Sequence, residues 1–338
     1  MNRFRKCLAI INTRSGAREG LSVFASALQQ YLDKAGIIHH DFCVPERNIS
    51  SVLCHQPGGS VDAVIVCGGD GTLCSVANVI ATTPDHPFTR VPIVPVPCGL
   101  QNSISASLGV YSAERSVSAF VLGRVEPVQV WEILVNGIVA RYVLSYIAIG
   151  TYAMCVERLH KLDAVGDNYF ALPMVRNKFK LGTLYTVMRD ETVPCTVRIK
   201  HKSKVPGAEE ALLVVKAPIK MLIASQMPFQ HRHYTITPEA TFKHGTLSVT
   251  YATSEATRLR MWHLLSREAL EGVILNEDGV CECTGATEVE LVVEQETAGG
   301  GPGPFDALMM LDGEPMRLLP GTRVTIRRAQ LHLLITSC

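Results

Sequence analysis

Two rhythms of apolar residues alternate along the first 120 positions. Continuous apolar runs, KCLAIIN (6–12), IIHHDFCV (37–44), VDAVIVC (61–67) and VPIVPVP (91–97), read as buried strands. Between them, Leu21, Phe24, Ala25, Leu28 and Leu32 recur at helical spacing and predict a helix over about Leu21–Ala35. A second helix is expected to follow the third run as far as about Ile80, and a loop carrying Asn102 leads into another. Strands that are apolar throughout and alternate with helices predict a parallel sheet covered on both faces. Ligands of such sheets sit at the carboxyl ends of the strands, where the polar loops after residues 11, 67 and 96 fall.

After about Gly123 the rhythm changes to strand runs joined by turns: VQVWEILVN, ARYVLSYIAIG, CTVRIKHK, MLIASQM, GTLSVTYA, EVELVVE and RVTIRRAQLHLLI. These predict antiparallel sheet folded into a sandwich. Helical interruptions are expected at about 154–190 and 256–271, a solvated insertion at 202–210, and a flexible glycine- and proline-rich loop at 297–304. The fold class is therefore α/β plus all-β. A three-layer α/β domain (1–122) precedes a β-sandwich domain (123–338), with the last strand a candidate to cross back to the first domain and the active site in the cleft between them.

Composition narrows the function only a little. Apolar residues make up 47% and charged residues 19%, enough for substantial cores. A formal net charge of +1 gives no general attraction to nucleic acid, and no nucleic-acid partner is expected. Eleven cysteines without a CxxC pair read as buried free thiols in a reducing compartment. No uninterrupted apolar segment reaches the roughly 18–20 residues that span a bilayer, so the expectation is a cytoplasmic protein.

The chemistry concentrates in VIVCGGDGTLCSV (64–76), which reads as strand, tight turn, helix. Glycine N–H groups opening a helix suit phosphate oxygens. A carboxylate in that turn either caps a helix, or meets a bridging Mg²⁺ or takes a hydroxyl proton, and the last two needs arise when a phosphoryl group moves from a nucleotide to an alcohol. Two further segments, NTRSG (12–16) and LDGE (311–314), accompany it in order.

With PCGLQN (97–102), these segments resemble the lipid-kinase superfamily of diacylglycerol and sphingosine kinases, with NAD kinases as distant relatives. The superfamily pattern is NPxSG, GGDGT or SGDG, PxGTxN and DGE. VLSYIAIGTYA and NKFKLGTLYTVMR resemble the sphingosine kinase region that ends in an RFTLGT-type motif. The resemblance implies an ATP- and Mg²⁺-dependent kinase acting on the primary hydroxyl of a lipid, a sphingoid base by preference and diacylglycerol as the alternative. A non-catalytic lipid- or nucleotide-binding relative is a further alternative. It also implies peripheral membrane contact, and leaves the oligomeric state open, a dimer included.

Residue by residue, the resemblance makes Asp70 the general base. Asn12, Arg14, Ser15, Gly16, Gly68, Gly69, Gly71, Thr72, Gly99 and Asn102 would surround the nucleotide. Arg176 and Lys178 would reach phosphates from the second domain, and Asp312, Gly313 and Glu314 would face the nucleotide, with Asp312 as the Mg²⁺ ligand. Glu157 would meet the lipid head group, and Tyr152, Phe170, Phe179 and Leu181 its chain. The sequence departs from the family pattern at Thr13, Ser75, Leu100 and Gln101.

Overall fold

The computed structural model describes residues 3–16, 18–44, 49–55, 61–99, 102–164, 178–203, 210–230, 234–294 and 307–338. The chain opens with strand β1 (Lys6–Asn12) and helix α1 (Gly20–Val23), which runs through a π-helical stretch (Phe24–Gln29) into α2 (Gln30–Lys34). Strand β2 (Ile38–Val44), helix α3 (Ile49–His55), strand β3 (Ala63–Gly68), helix α4 (Asp70–Thr82) and strand β4 (Ile93–Pro97) follow. Helices α5 (Ser103–Ser107) and α6 (Ala113–Leu122) complete this half. Strands β1 to β4 pair in parallel in the order β4-β3-β1-β2.

Alternation along the strands separates the two faces. Leu8, Ile10, Val64 and Val66 pack in one buried cluster with α3 and α4. Cys7, Ala9, Ile11, Ile65 and Cys67 pack in another with Phe24, Leu28, Leu32 and Phe120 of the opposite helices. Two apolar faces require helices on both sides, which gives three layers. Helices α3 and α6 were not legible in the sequence. The first is a single seven-residue stretch, and the second begins at Ser112, whose hydroxyl accepts from Arg115 N–H as an N-cap.

The second half contains β5 (Val125–Val135), β6 (Ile138–Val143), β7 (Tyr146–Gly150), helices α7 (Thr151–Ala164) and α8 (Lys178–Arg189), and strands β8 (Cys195–Lys202), β9 (Glu210–Val215), β10 (Ile219–Ser225) and β11 (Leu247–Thr253). A helical segment, α9 (Arg258–His263) to α10 (Ala269–Glu271), precedes β12 (Val280–Val293), β13 (Ala307–Leu311), β14 (Glu314–Leu318) and β15 (Arg323–Thr336). Strand β12 does double duty. Its first part pairs with β11, and after a register shift at Ala286–Glu288 it runs between β8 and β15. This bend turns one ladder into two facing sheets. Ile133, Val197, Ile199, Val289 and Ile326 meet Ile147, Leu222, Val249 and Met309 in the core between them. The other face of β7, β10, β11 and β13 is covered by the helices, through Tyr152, Val156, Met261 and Leu264. Strand β15 also pairs in parallel with β4, at Ile335 and Ile93, which joins the ladders of the two halves.

Three sequence expectations change. ARYVLSYIAIG is two strands, β6 and β7, interrupted at Leu144 and Ser145. The interruption has a clear cause: the Asp312 carboxylate accepts from the N–H groups of Leu144 (2.6 Å), Ser145 (2.8 Å) and Tyr146 (2.8 Å), so these donors leave the ladder. LDGE forms a two-residue hairpin turn between β13 and β14, because Leu311 pairs with Glu314 and both Asp312 (φ 48°) and Gly313 (φ 88°) are left-handed. Asp-Gly is the sequence preference of that turn. At the end of the expected insertion, Glu210 already begins β9. The 297–304 loop lies outside the described residues.

Asp312 is fully buried, so each N–H that lost its acceptor would stay unsatisfied, at about 1–3 kcal/mol. Asp312→Asn turns one acceptor into a donor. It is expected to lower unfolding free energy by about 1–3 kcal/mol in urea titrations, while Gly313→Ala is expected to destabilise through its positive φ. An Asp312→Asn midpoint equal to wild type would contradict this account.

Candidate active site

The site forms where three loops meet at the carboxyl ends of β1, β3 and β4. They approach backbone to backbone: a Cβ on Gly16 (φ 53°) would collide with the Cys98 carbonyl, so only glycine fits there. Asn12 and Thr72 are buried, and Asn12 Nδ2 donates to Thr72 Oγ1 (2.9 Å), latching the first loop to the second. Asn12 Oδ1 also accepts from Arg14 N–H (2.9 Å). Asn102 braces the third loop, accepting from Gly99 N–H (3.0 Å) and donating to Gly99 O (2.8 Å). Asn12, Thr72 and Asn102 therefore hold loop shape. Arg14 is exposed, and Ser15, Gly71 and Gly99 are half-buried.

Gly68 and Gly69 carry the chain from β3 into α4. Gly69 is the N-cap of this helix and supplies no side-chain cap, so the first turn keeps donors for an anion. Asp70 opens the helix and is 4% exposed. Its two oxygens accept from Ser103 N–H (2.8 Å) and Ile104 N–H (3.0 Å), at the start of α5. Burial pushes its pKa up to about 7; the two backbone donors oppose that rise, and the nearby Asp312 carboxylate adds to it. A carboxylate poised near neutrality can exchange a proton, and its oxygens keep lone pairs beyond the two backbone bonds.

Asp312 is the second buried carboxylate, and burial raises its pKa against the three backbone donors. Two of these bonds fall on Oδ1 and one on Oδ2, so most of its acceptor capacity is spent on the backbone and one Oδ2 lone pair is left for the expected Mg²⁺. Among the described residues no group of three or more His, Cys, Asp or Glu could hold a metal ion. Ser145 links the two acids, since its N–H meets Asp312 while its hydroxyl shares a hydrogen bond with that of Ser103, whose own N–H meets Asp70. Ser103 and Ser145 were not singled out in the sequence; a lone serine inside the apolar run VLSYIAIG was the signal. Arg141, another isolated polar residue in that region, reaches the same cluster.

Of the expected lipid contacts, Tyr152 and Glu157 have described side chains. Tyr152 is fully buried, its ring stacked on Tyr234 and edge-on to Tyr146, so it belongs to the core. Glu157 lies between Lys161 (3.2 Å) and Arg317 (3.1 Å). It lines a groove of about 360 Å³ with Arg158, Lys161, Arg189, Glu191 and Arg317. Two cations on one carboxylate disfavour a bound ammonium there. Lys178, Phe179 and Leu181 lie in the first turn of α8, while Phe170 and Arg176 lie outside the described residues, as do Leu100 and Gln101. Among the described residues no helix is long and apolar enough to cross a membrane.

Residues 6–133 match the diacylglycerol kinase catalytic domain model. Human sphingosine kinase 1 is 30% identical, and the mouse protein 27%, over 115 residues; in both cases the match takes in 33% of this chain and 30% of the relative. The chain thus covers less than a third of those relatives. A solved diacylglycerol kinase from Bacillus anthracis str. Sterne superimposes with a TM-score of 0.66 at 17% identity, covering 100% of this chain and 98% of that one. At that identity the likeness speaks for the fold, and it extends through the sandwich half. With the ordered motifs and the three-loop site, these matches make residues 6–133 similar to a diacylglycerol kinase catalytic domain, with a shorter likeness to sphingosine kinase 1.

Proposed function

We propose that this chain is a lipid kinase that moves the γ-phosphoryl group of ATP to the primary hydroxyl of a sphingoid base. Residues 1–122 serve the nucleotide and 123–338 the lipid. The observation that carries the reading is Asp70: a buried carboxyl with pKa about 7, at the first turn of a helix whose N-terminus faces the ligand end of a parallel sheet. Near neutrality a large fraction is ionised and able to take the hydroxyl proton. The N–H groups of Ser103 and Ile104 fix the carboxylate in one orientation, so no energy is spent aligning it.

The residues present fit a triphosphate. The open first turn of α4 with half-buried Gly71, and half-buried Ser15 beside exposed Arg14 in the first loop, supply the peptide dipole, backbone donors and a cation that negative charge calls for. Mg²⁺ would neutralise the phosphates, and Asp312, whose Oδ2 accepts a single backbone bond, would be the residue to hold it. Membrane contact follows from the nature of the acceptor.

The 115-residue likeness to sphingosine kinase 1 favours a sphingoid base. The pairing of Glu157 with Lys161 and Arg317 favours a second reading, a neutral diacylglycerol, since it removes the candidate partner of an amine. Phosphate transfer from ATP to sphingosine, ceramide and diacylglycerol in parallel micelles separates them. Label on sphingosine is the expected result, label on diacylglycerol alone selects the second reading, and no label on any lipid with ATP still bound points to a non-catalytic relative.

Asp70→Asn is expected to lower kcat by about 10²–10⁴-fold. It also leaves one α5 N–H facing an amide, at a cost of about 1–3 kcal/mol, so folded protein must be confirmed by its melting curve. Wild-type turnover in folded Asp70→Asn would exclude the base role. Because the base works ionised, kcat is expected to fall about tenfold per pH unit below pH about 7. Stability runs the other way. The native state keeps on Asp70 a proton that the unfolded chain releases near pH 4, so its contribution is present at low pH and is lost as pH rises through about 7. The wild-type minus Asp70→Asn difference in unfolding free energy, measured from pH 4.5 to 7.5, is expected to decline across that window.

A further inference from the structure

Arg141 is the unexplained cation of the site. It sits in β6, half-buried, between α4 and the β13–β14 turn. Its Nη2 donates to Cys74 Sγ at 4.0 Å, a long bond to a weak sulfur acceptor. Cys74 stands one helical turn after Asp70 on α4 and is itself buried, donating to Tyr142 O (3.2 Å). The charges of Glu314 and Asp312 both act on Arg141, yet among the described residues neither comes within 4.0 Å to form an ion pair. Its Nε atom is buried without a hydrogen-bond partner.

This arrangement is costly for a surface arginine and unnecessary for a structural one. A guanidinium placed only to balance Glu314 would close on it in a fork, as Arg260 does on Glu268 at 2.6 and 3.1 Å elsewhere in the chain. Asp312 already accepts from three backbone donors and makes no ion pair with Arg141 among the described residues. Arg141 is therefore held near two acids and bonded to neither, with donors left for a third group. Cys74 stands one turn after Asp70 and the two acids belong to the hairpin turn, so these unmet donors stand beside the candidate site.

We infer that Arg141 binds the terminal phosphoryl group of the nucleotide, contacting oxygens that only a triphosphate supplies. The assignment rests on the kinase reading above and adds a phosphate-contacting residue from the sandwich half. Arginine suits the position because its planar fork can meet two phosphate oxygens at once, while lysine would supply one point charge.

The test is equilibrium binding of ATP and of ADP to the full chain by calorimetry, for wild type, Arg141→Met and Arg141→Lys. Arg141→Met is expected to weaken ATP about 10- to 100-fold and ADP by less than about threefold. Arg141→Lys is expected to fall between wild type and Arg141→Met for ATP, and it keeps the test open if Arg141→Met fails to fold. An ATP-to-ADP affinity ratio unchanged in both variants overturns the assignment and leaves Arg141 as a balance to Glu314 and Asp312, a role that would show only as a lowered melting temperature. A wild-type chain that binds neither nucleotide overturns the kinase reading, and this assignment with it. ATP binding that is normal in wild type and insensitive to Arg141 removes the assignment alone.

Discussion

The Asp312 carboxylate is the constraint on which the site depends. Three consecutive backbone N–H groups, from Leu144, Ser145 and Tyr146, converge on it in a fully buried pocket. One hairpin turn thereby stops β6, starts β7 and sets Ser145 against Ser103. Ser103 and Ile104 in turn hold Asp70. The carboxylate that would do chemistry and the carboxylate that fixes the scaffold are thus joined through a short run of polar groups across the two halves. Such a network is stable only when each member is satisfied, because an orphaned donor in this setting loses its water and gains nothing.

Much of this was open to a reader of the sequence. Apolar runs of strand length around Leu8, Val64 and Val94 leave no solvent face, which forces a sheet covered on both sides. The order of the glycine motifs put the site at the carboxyl ends of these strands. What the sequence concealed were relations between distant residues. Asp312 reads as a ligand in a motif, but its Asp-Gly pair is equally the signature of a tight hairpin, and only the position of Leu144–Tyr146 shows where its oxygens go. Likewise Asp70 serves as a cap, though for α5 rather than for the helix it opens.

The same distinction applies to Tyr152 and Glu157. Tyr152 follows β7 directly and is apolar enough for a pocket or a core; its stacking on Tyr234 decides for the core. Glu157 lies one and a half turns further along α7, where Lys161 is its i+4 neighbour and Arg317 arrives from β14. Spacing along one helix foretells the first partner. The second depends on how β14 is laid beside that helix, which no local pattern encodes.

The pairing of β15 with β4 has a kinetic consequence. Ile93 and Ile335 come from strands made early and late in synthesis. Until the late strand arrives, the flank of β4 that it covers stays an open edge, with apolar neighbours Val94 and Val96 beside it. A contact of such long range closes a very large loop, a slow step in folding. On the ribosome, the sheet of the N-terminal half is therefore sealed along that flank only after nearly the whole sandwich has been translated.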